Sequence, residues 1–161
     1  MAVDMFIKIG DIKGESADKT HGGEITVLAW SWGLSNSGSA HVGGGAGSGK
    51  VNVQDLSLTK YIDKSSPDLM LFCCNGNHIP KVQLTVRKAG GDNALEYLII
   101  KLEDVLIASV ATGGSGGEDR LTESVHLNFR KVFVEYTEQN AKGGAADKPK
   151  MGWDIQQNAK V

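Results

Sequence analysis

The chain has 161 residues, enough for one domain over 1–161 that buries roughly 70 % of its unfolded surface around a single core. Its 17 basic and 19 acidic side chains nearly cancel, which argues against nucleic acid as a partner, because a duplex binder carries a basic face. No stretch approaches the ~18 uninterrupted apolar residues of a membrane span, and MAVDMFIKIGDIKG lacks the basic start and long apolar run of a secretory signal, so leaving the cell would require a dedicated machine.

In chain order, Met5, Ile7 and Ile9 alternate with Phe6 and Lys8, predicting a strand that stops at Gly10. DIKGESADKTHGG is polar and punctuated by glycine, and reads as a loop. Glu24 to Gly33 is a second strand. Ile25, Val27 and Ala29 point one way and Leu28, Trp30 and Trp32 the other, so strict alternation predicts a central strand covered on both sides or facing another subunit. Ser31, between two tryptophans, must face away from them.

Some sixteen residues of almost pure Gly, Ser, Ala and His follow. After them Val51 and Val53 hold odd positions while Leu56 and Leu58 hold even ones, the parity change of a bulge or sharp bend. A short helix comes next: Ser66 is placed to cap it, Pro67 fits its first position, Asp68 suits the positive end of the dipole and Gly76 ends it. Leu69, Met70, Phe72 and Cys73 supply its apolar stripe. Cys73 and Cys74 are adjacent, cannot form an ordinary staple, and read as two small apolar helix residues.

Val82, Leu84 and Val86 mark a half-exposed strand, KAGGDN a hairpin turn, and Leu95 to Leu102 its partner. Glu103 and Asp104 interrupt before another strand, VLIASVATGG. In ESVHLNFRKVFVEY, Val125, Leu127 and Phe129 give way to Val132, Val134 and Tyr136, a second change of face. EQNAKGGAADKPK reads as a mobile polar stretch, and Met151 to Ile155 as a terminal edge strand anchored by Trp153. About eight strands and one helix make a mainly β, largely antiparallel chain. Strands that switch faces turn the corners of a barrel or an orthogonal sandwich.

Candidate chemistry is thin. Gly44, Gly49 and Lys50 have the spacing of a phosphate-binding loop, but the next residue is Val51 instead of a hydroxyl, and it opens a strand instead of a helix. His21, His41, His78 and His126 have no metal-ligand spacing and read as surface or turn residues. No GxSxG elbow or EF-hand loop is present, so the acidic residues read as solvated strand faces. What stands out is the long loop, roughly 34–50, which buries nothing of its own. Loops of that length in compact domains are usually functional or disordered. It is predicted to be an arm that grips a neighbouring copy, with Ser39, His41, Val42, Gly44, Ser48 and Lys50 as its candidate contacts.

MAVDMFIKIGDIKGES, VLAWSWGLSNSGS, GKVNVQDLSLTKYIDKSSPDLM, VRKAG, EYLIIKLEDVL, TGGSGGEDRLTESVHLNF and GWDIQQN, in that order, resemble the haemolysin-coregulated protein (Hcp) family, the tube subunits of the bacterial type VI secretion system. The resemblance runs end to end. It implies a closed β-barrel of two antiparallel sheets with one short α-helix on its side. It also implies a homohexameric ring, with rings stacking into a tube inside a contractile sheath behind a VgrG-type spike and holding secreted effectors in the lumen. Such a protein passes from the bacterial cytoplasm to the exterior or a target cell without a signal peptide. The resemblance carries over no catalytic site, cofactor or metal. In its light Ser31 is the clearest candidate to line the lumen, and Trp30, Trp32 and Trp153 are candidates for the core or the subunit seam. The competing readings are a monomeric ligand-binding β-barrel, which would surround an interior cavity with apolar residues, and an enzyme on the same scaffold.

Overall fold

The computed structural model describes residues 3–38, 49–88, 94–139 and 146–161. In chain order the described elements are β1 (Val3–Ile9), β2 (Ile25–Ser31), β3 (Leu34–Asn36), β4 (Val51–Val53), β5 (Leu56–Tyr61), α1 (Ser66–Asn75), β6 (Ile79–Lys88), β7 (Glu96–Thr112), β8 (Thr122–Tyr136), β9 (Lys150–Asp154) and β10 (Ala159–Lys160). Every pairing among the described strands is antiparallel, in the order β10-β9-β8-β5-β2-β1-β6-β7, and β7 returns to pair with β8. That last ladder closes six strands into a barrel, with β9 and β10 extending beyond it along the second half of β8. The interior is filled by side chains such as Ile7, Ile25, Leu58, Leu84, Leu102, Val125 and Leu127.

The corner is turned by three strands together. Ile79 and Val82 in β6, Leu102 and Val105 in β7, and Phe129 and Val132 in β8 are all buried yet three residues apart instead of two. They are also register partners, Ile79 with Val105 with Phe129 and Val82 with Leu102 with Val132, so the whole layer changes face along one row. The change of face expected in β8 is there. The expected break at Glu103 and Asp104 is not: β7 runs unbroken through them, and Asp104 takes a φ of +54° at the kink. A pair of charged residues marked the bend, not the end, of a strand.

Two other parity changes have separate causes. The chain bends between β4 and β5, so that β4 pairs with β3 in a two-stranded ribbon while β5 enters the barrel between β2 and β8. The long loop therefore starts from a ribbon, and Leu34–Asn36 belongs to a strand. In β2, Val27 faces Lys60 and Ala29 faces Thr59, so Leu28 is the extra residue of a bulge. This overturns the strand covered on both faces. Beyond the bulge Trp30 turns to the same interior as Ile25 and Val27, opposite Leu58, while Ala29 and Ser31 turn outward.

Helix α1 packs on β7 through Leu69, with Phe72 and Cys73 partly buried against the core and Met70, Leu71 and Cys74 exposed. Gly76 ends it at φ +68°, where other residues are strained, and donates its N–H to the Phe72 carbonyl at 3.1 Å. The N-cap is Ser65, not Ser66 as expected. The Ser66 hydroxyl has other work: it donates to Glu123 and accepts from Lys60 Nζ at 3.2 Å and from the Asp63 N–H at 3.0 Å. Lys60 continues the inward series of Leu56 and Leu58, Glu123 continues that of Val125 and Leu127, and the two are cross-strand partners joined in an ion pair. Both are buried, and so is Asp154. The reading of all acidic residues as solvated faces fails at these two positions. His21, expected at a surface or turn, lies in a turn but is buried.

Candidate functional site

With hydrophobic side chains filling the barrel, its outward faces carry the candidate sites. Pleating sends alternate residues of β2, β5, β8 and the second half of β7 away from the core. Register aligns them in two rows: Ala29, Thr59, Ser124 and Ala111, then Ser31, Ser57, His126 and Ser109. Between them lies a shallow hollow of about 170 Å³ with Trp30 and Leu58 in its floor. Almost every side chain on this wall is a methyl or a hydroxyl.

His126, exposed in the second row, makes no side-chain hydrogen bond to any described residue. Fixed charge stays at the margins. Asp55 accepts a hydrogen bond from Asn128 at 2.9 Å beyond one end of the rows, and the Arg120 guanidinium lies 3.7 Å from the ring centroid of Tyr61 beyond the other. Small hydroxyls both donate and accept, and they impose no sign of charge, so the wall can form many weak contacts with varied polar surfaces. Among the described residues no side-chain base is hydrogen-bonded to one of its hydroxyls.

A second outward surface differs. Lys8, Lys81, Lys101, Lys150 and Lys160 surround Ile99, Phe133 and Met151 in a groove of about 920 Å³, with Asp11, Glu103 and Glu135 among them. A wall of this kind selects by charge. The large groove and the hydroxyl wall are thus two chemically distinct surfaces on one barrel.

Ser31 sits on the hydroxyl wall, exposed. Trp30 and Trp32 both pack against the core while remaining partly accessible; the Trp32 indole N–H donates to the Gln54 carbonyl at 2.9 Å. Trp153 packs against the core from β9. Among the arm candidates, Lys50 is exposed just before β4, whereas Ser39, His41, Val42, Gly44 and Ser48 lie outside the described residues. So does most of the hairpin turn at 88–93 and part of the polar stretch at 138–150. Alternation found Ser31. It could equally have found Ser57, Thr59, Ser124 and His126, which occupy the off-core parity of LSLTKY and ESVHLNF, once those strands were known to be neighbours.

Residues 6–136 match the family model described as type VI secretion system effector, Hcp. The chain belongs to the Hcp family. The Pseudomonas aeruginosa (strain PAO1) protein hcp1 is 66 % identical over 162 residues, covering all of both chains. Among solved structures, Hcp1 from Salmonella typhimurium is 40 % identical with a TM-score of 0.82 over 100 % of both chains. Another, described as a type six secretion system protein, is 31 % identical with a TM-score of 0.92, covering 99 % of this chain and 100 % of its own. Hcp proteins are secretion-system components, not a known enzyme family. No helix among the described residues is long and apolar enough to cross a membrane.

Proposed function

We propose that this chain is the subunit of a homohexameric ring, that rings stack into the tube of a type VI secretion system, and that the wall of Ser31, Ser57, Thr59, Ser124 and His126 faces the lumen and holds effectors during export. The observation that carries the reading is the chemistry of that wall: small, hydroxyl-rich and free of fixed charge at its centre, on a barrel that also carries a lysine-lined surface. A lumen that accepts cargo of varied sequence and releases it needs weak, sign-neutral contacts. A closed ring uses two unlike patches of each subunit and consumes exposed edges, such as β10 and the β3–β4 ribbon, that would otherwise invite aggregation. The ribbon and the loop it carries are the arm that rests on the adjacent subunit or the next ring. The spike, the contractile sheath and the effectors are the remaining partners, and the route is out of the bacterial cytoplasm through the secretion system.

The test is Ser31→Tyr, with Ser57→Tyr beside it, co-expressed with an effector of the same secretion locus. Loss of co-purified effector with the mass of the assembly unchanged by light scattering supports a cargo wall. Effector binding that survives both substitutions removes it.

A further inference from the structure

Phe6 presents an anomaly. Its parity places it on the outside of β1, beside Lys8 and opposite the core residues Ile7 and Ile9, yet it is only 6 % exposed and stands apart from the main core cluster. What covers it is the β1–β2 connection, 11–24, which doubles back on itself. Gly14 donates to the Gly23 carbonyl at 2.8 Å, Ser16 to that of Glu24 at 2.9 Å, and Gly23 to that of Ser16 at 2.9 Å. The approach is close enough that a Cβ on Gly14 would lie 2.5 Å from the Glu24 carbonyl oxygen. The His21 ring stacks on Phe6 with centroids 4.7 Å apart and planes at 10°.

His21 Nδ1 lies 2.8 Å from Glu24 Oε2 and Nε2 lies 2.6 Å from Glu96 Oε1, at the start of β7. Carboxylates only accept, so both nitrogens must donate, and only the imidazolium has two N–H groups. A neutral ring would turn a lone pair onto one carboxylate. We propose that 11–24 is a strap locked over the outer face of β1 by the proton on His21 acting beside the Asp18–Arg87 pair, and that loss of this proton destabilises the closed strap so that it unzips and opens more often, uncovering Phe6 beside the lysine groove.

The charged groups around His21 support this. On the strap are Glu24 and Asp18, the latter accepting from the His21 backbone N–H at 3.1 Å; on β7 is Glu96; on β6 is Arg87, whose guanidinium lies 5.1 Å from the Phe6 centroid; on β1 is Asp4, 3.3 Å from Arg87. Burial opposes charge on His21, but the hydrogen bonds it donates to Glu96 and Glu24 outweigh it and raise its pKa above the ordinary 6.5. The neighbouring tie does not titrate in that range: hydrogen bonding to Arg87 holds Asp18 far below the usual carboxylate range, and hydrogen bonding to Asp18 pushes Arg87 further up. The proton is thus bound more tightly with the strap closed. Closure has its full advantage below about pH 6.5 and loses it as pH rises through the raised value, by up to about tenfold per pH unit.

The experiment is amide hydrogen exchange on the full chain from pH 6 to 9, expressed as protection relative to the intrinsic rate. Protection of Gly14, Ser16 and Gly23 should hold to about pH 6.5 and then fall up to about tenfold per unit, while β6 amides such as Leu84 stay constant. His21→Gln should abolish the step and start low at pH 6; Glu96→Gln should move the step to lower pH. A flat wild-type profile, or a step that survives His21→Gln, overturns the proposal. Should His21→Gln fail to fold, the imidazole nitrogen shifts of the wild type decide: both must report N–H at pH 6, and a neutral ring there refutes the strap lock.

Discussion

Replacing Glu123 with leucine removes the counter-charge of Lys60 at a site where neither side chain reaches water, both having side-chain exposure of 0 %. Breaking one side of a buried pair typically costs about 3–5 kcal/mol, because the remaining charge is left uncompensated. Here Asp63 Oδ1 stays 3.1 Å from the ammonium and Ser66 can still accept from it, so the lower end, about 3 kcal/mol, is expected. In a domain of this size that lowers Tm by roughly 6–12 °C. Lys60→Met alone should cost at least as much, since Glu123 would then keep only the Ser66 hydroxyl. The double variant Lys60→Met/Glu123→Leu removes both charges and should recover most of the loss, giving a coupling of about 3 kcal/mol or more. Urea unfolding followed by tryptophan fluorescence, at one fixed protein concentration because assembly shifts apparent stability, reads all four corners of the cycle. A cost for Glu123→Leu under about 1 kcal/mol, or a double variant that simply sums the singles, refutes the argument that the two buried charges stabilise the barrel as a pair.

Trp30→Ala should destabilise by about 2 kcal/mol, less than the 3–5 of a fully enclosed ring, because Trp30 packs on the core with one side open; an unfolding midpoint that does not move would place it off the core altogether. Exchanging 39–48 for a short turn should leave the barrel folded and its rings unstacked, as read by sedimentation velocity, whereas normal tubes would remove the arm from the account. Asp154 is held below the usual carboxylate range chiefly by the Gln157 backbone N–H, against burial and with help from Arg130. A lowered folded value stabilises above the unfolded pKa near 4 and is lost as pH falls through the folded one. Asp154→Asn should therefore melt lower than wild type at pH 7 and converge with it in acid, and an equal deficit at every pH would contradict the assignment.

Alternation read the barrel strands well wherever one face is buried, and it located the change of face in β8 from Val125, Leu127, Phe129 against Val132, Val134, Tyr136. It failed at Leu28, because a bulge and a two-sided apolar strand produce the same pattern until the partner strand fixes the register. It failed at Glu103 and Asp104 because charge looks like an interruption even where β7 only kinks. The buried pair was half legible: Lys60 falls on the parity of Leu56 and Leu58, and Glu123 on that of Val125 and Leu127. Neither charge makes sense inside until β5 and β8 are adjacent, and then each explains the other. The hydroxyl wall was visible as Ser31 alone for the same reason. A face is a property of several strands, and its rows appear only with the pairing.

Class-averaged electron microscopy of the purified protein, taken to a resolution that orients the barrel, addresses the ring most directly. The account predicts six-fold annuli in which the wall bearing Ser31, Ser57 and His126 borders the hole. Isolated single-chain particles, or annuli whose hole is bordered by the lysine groove, would contradict it.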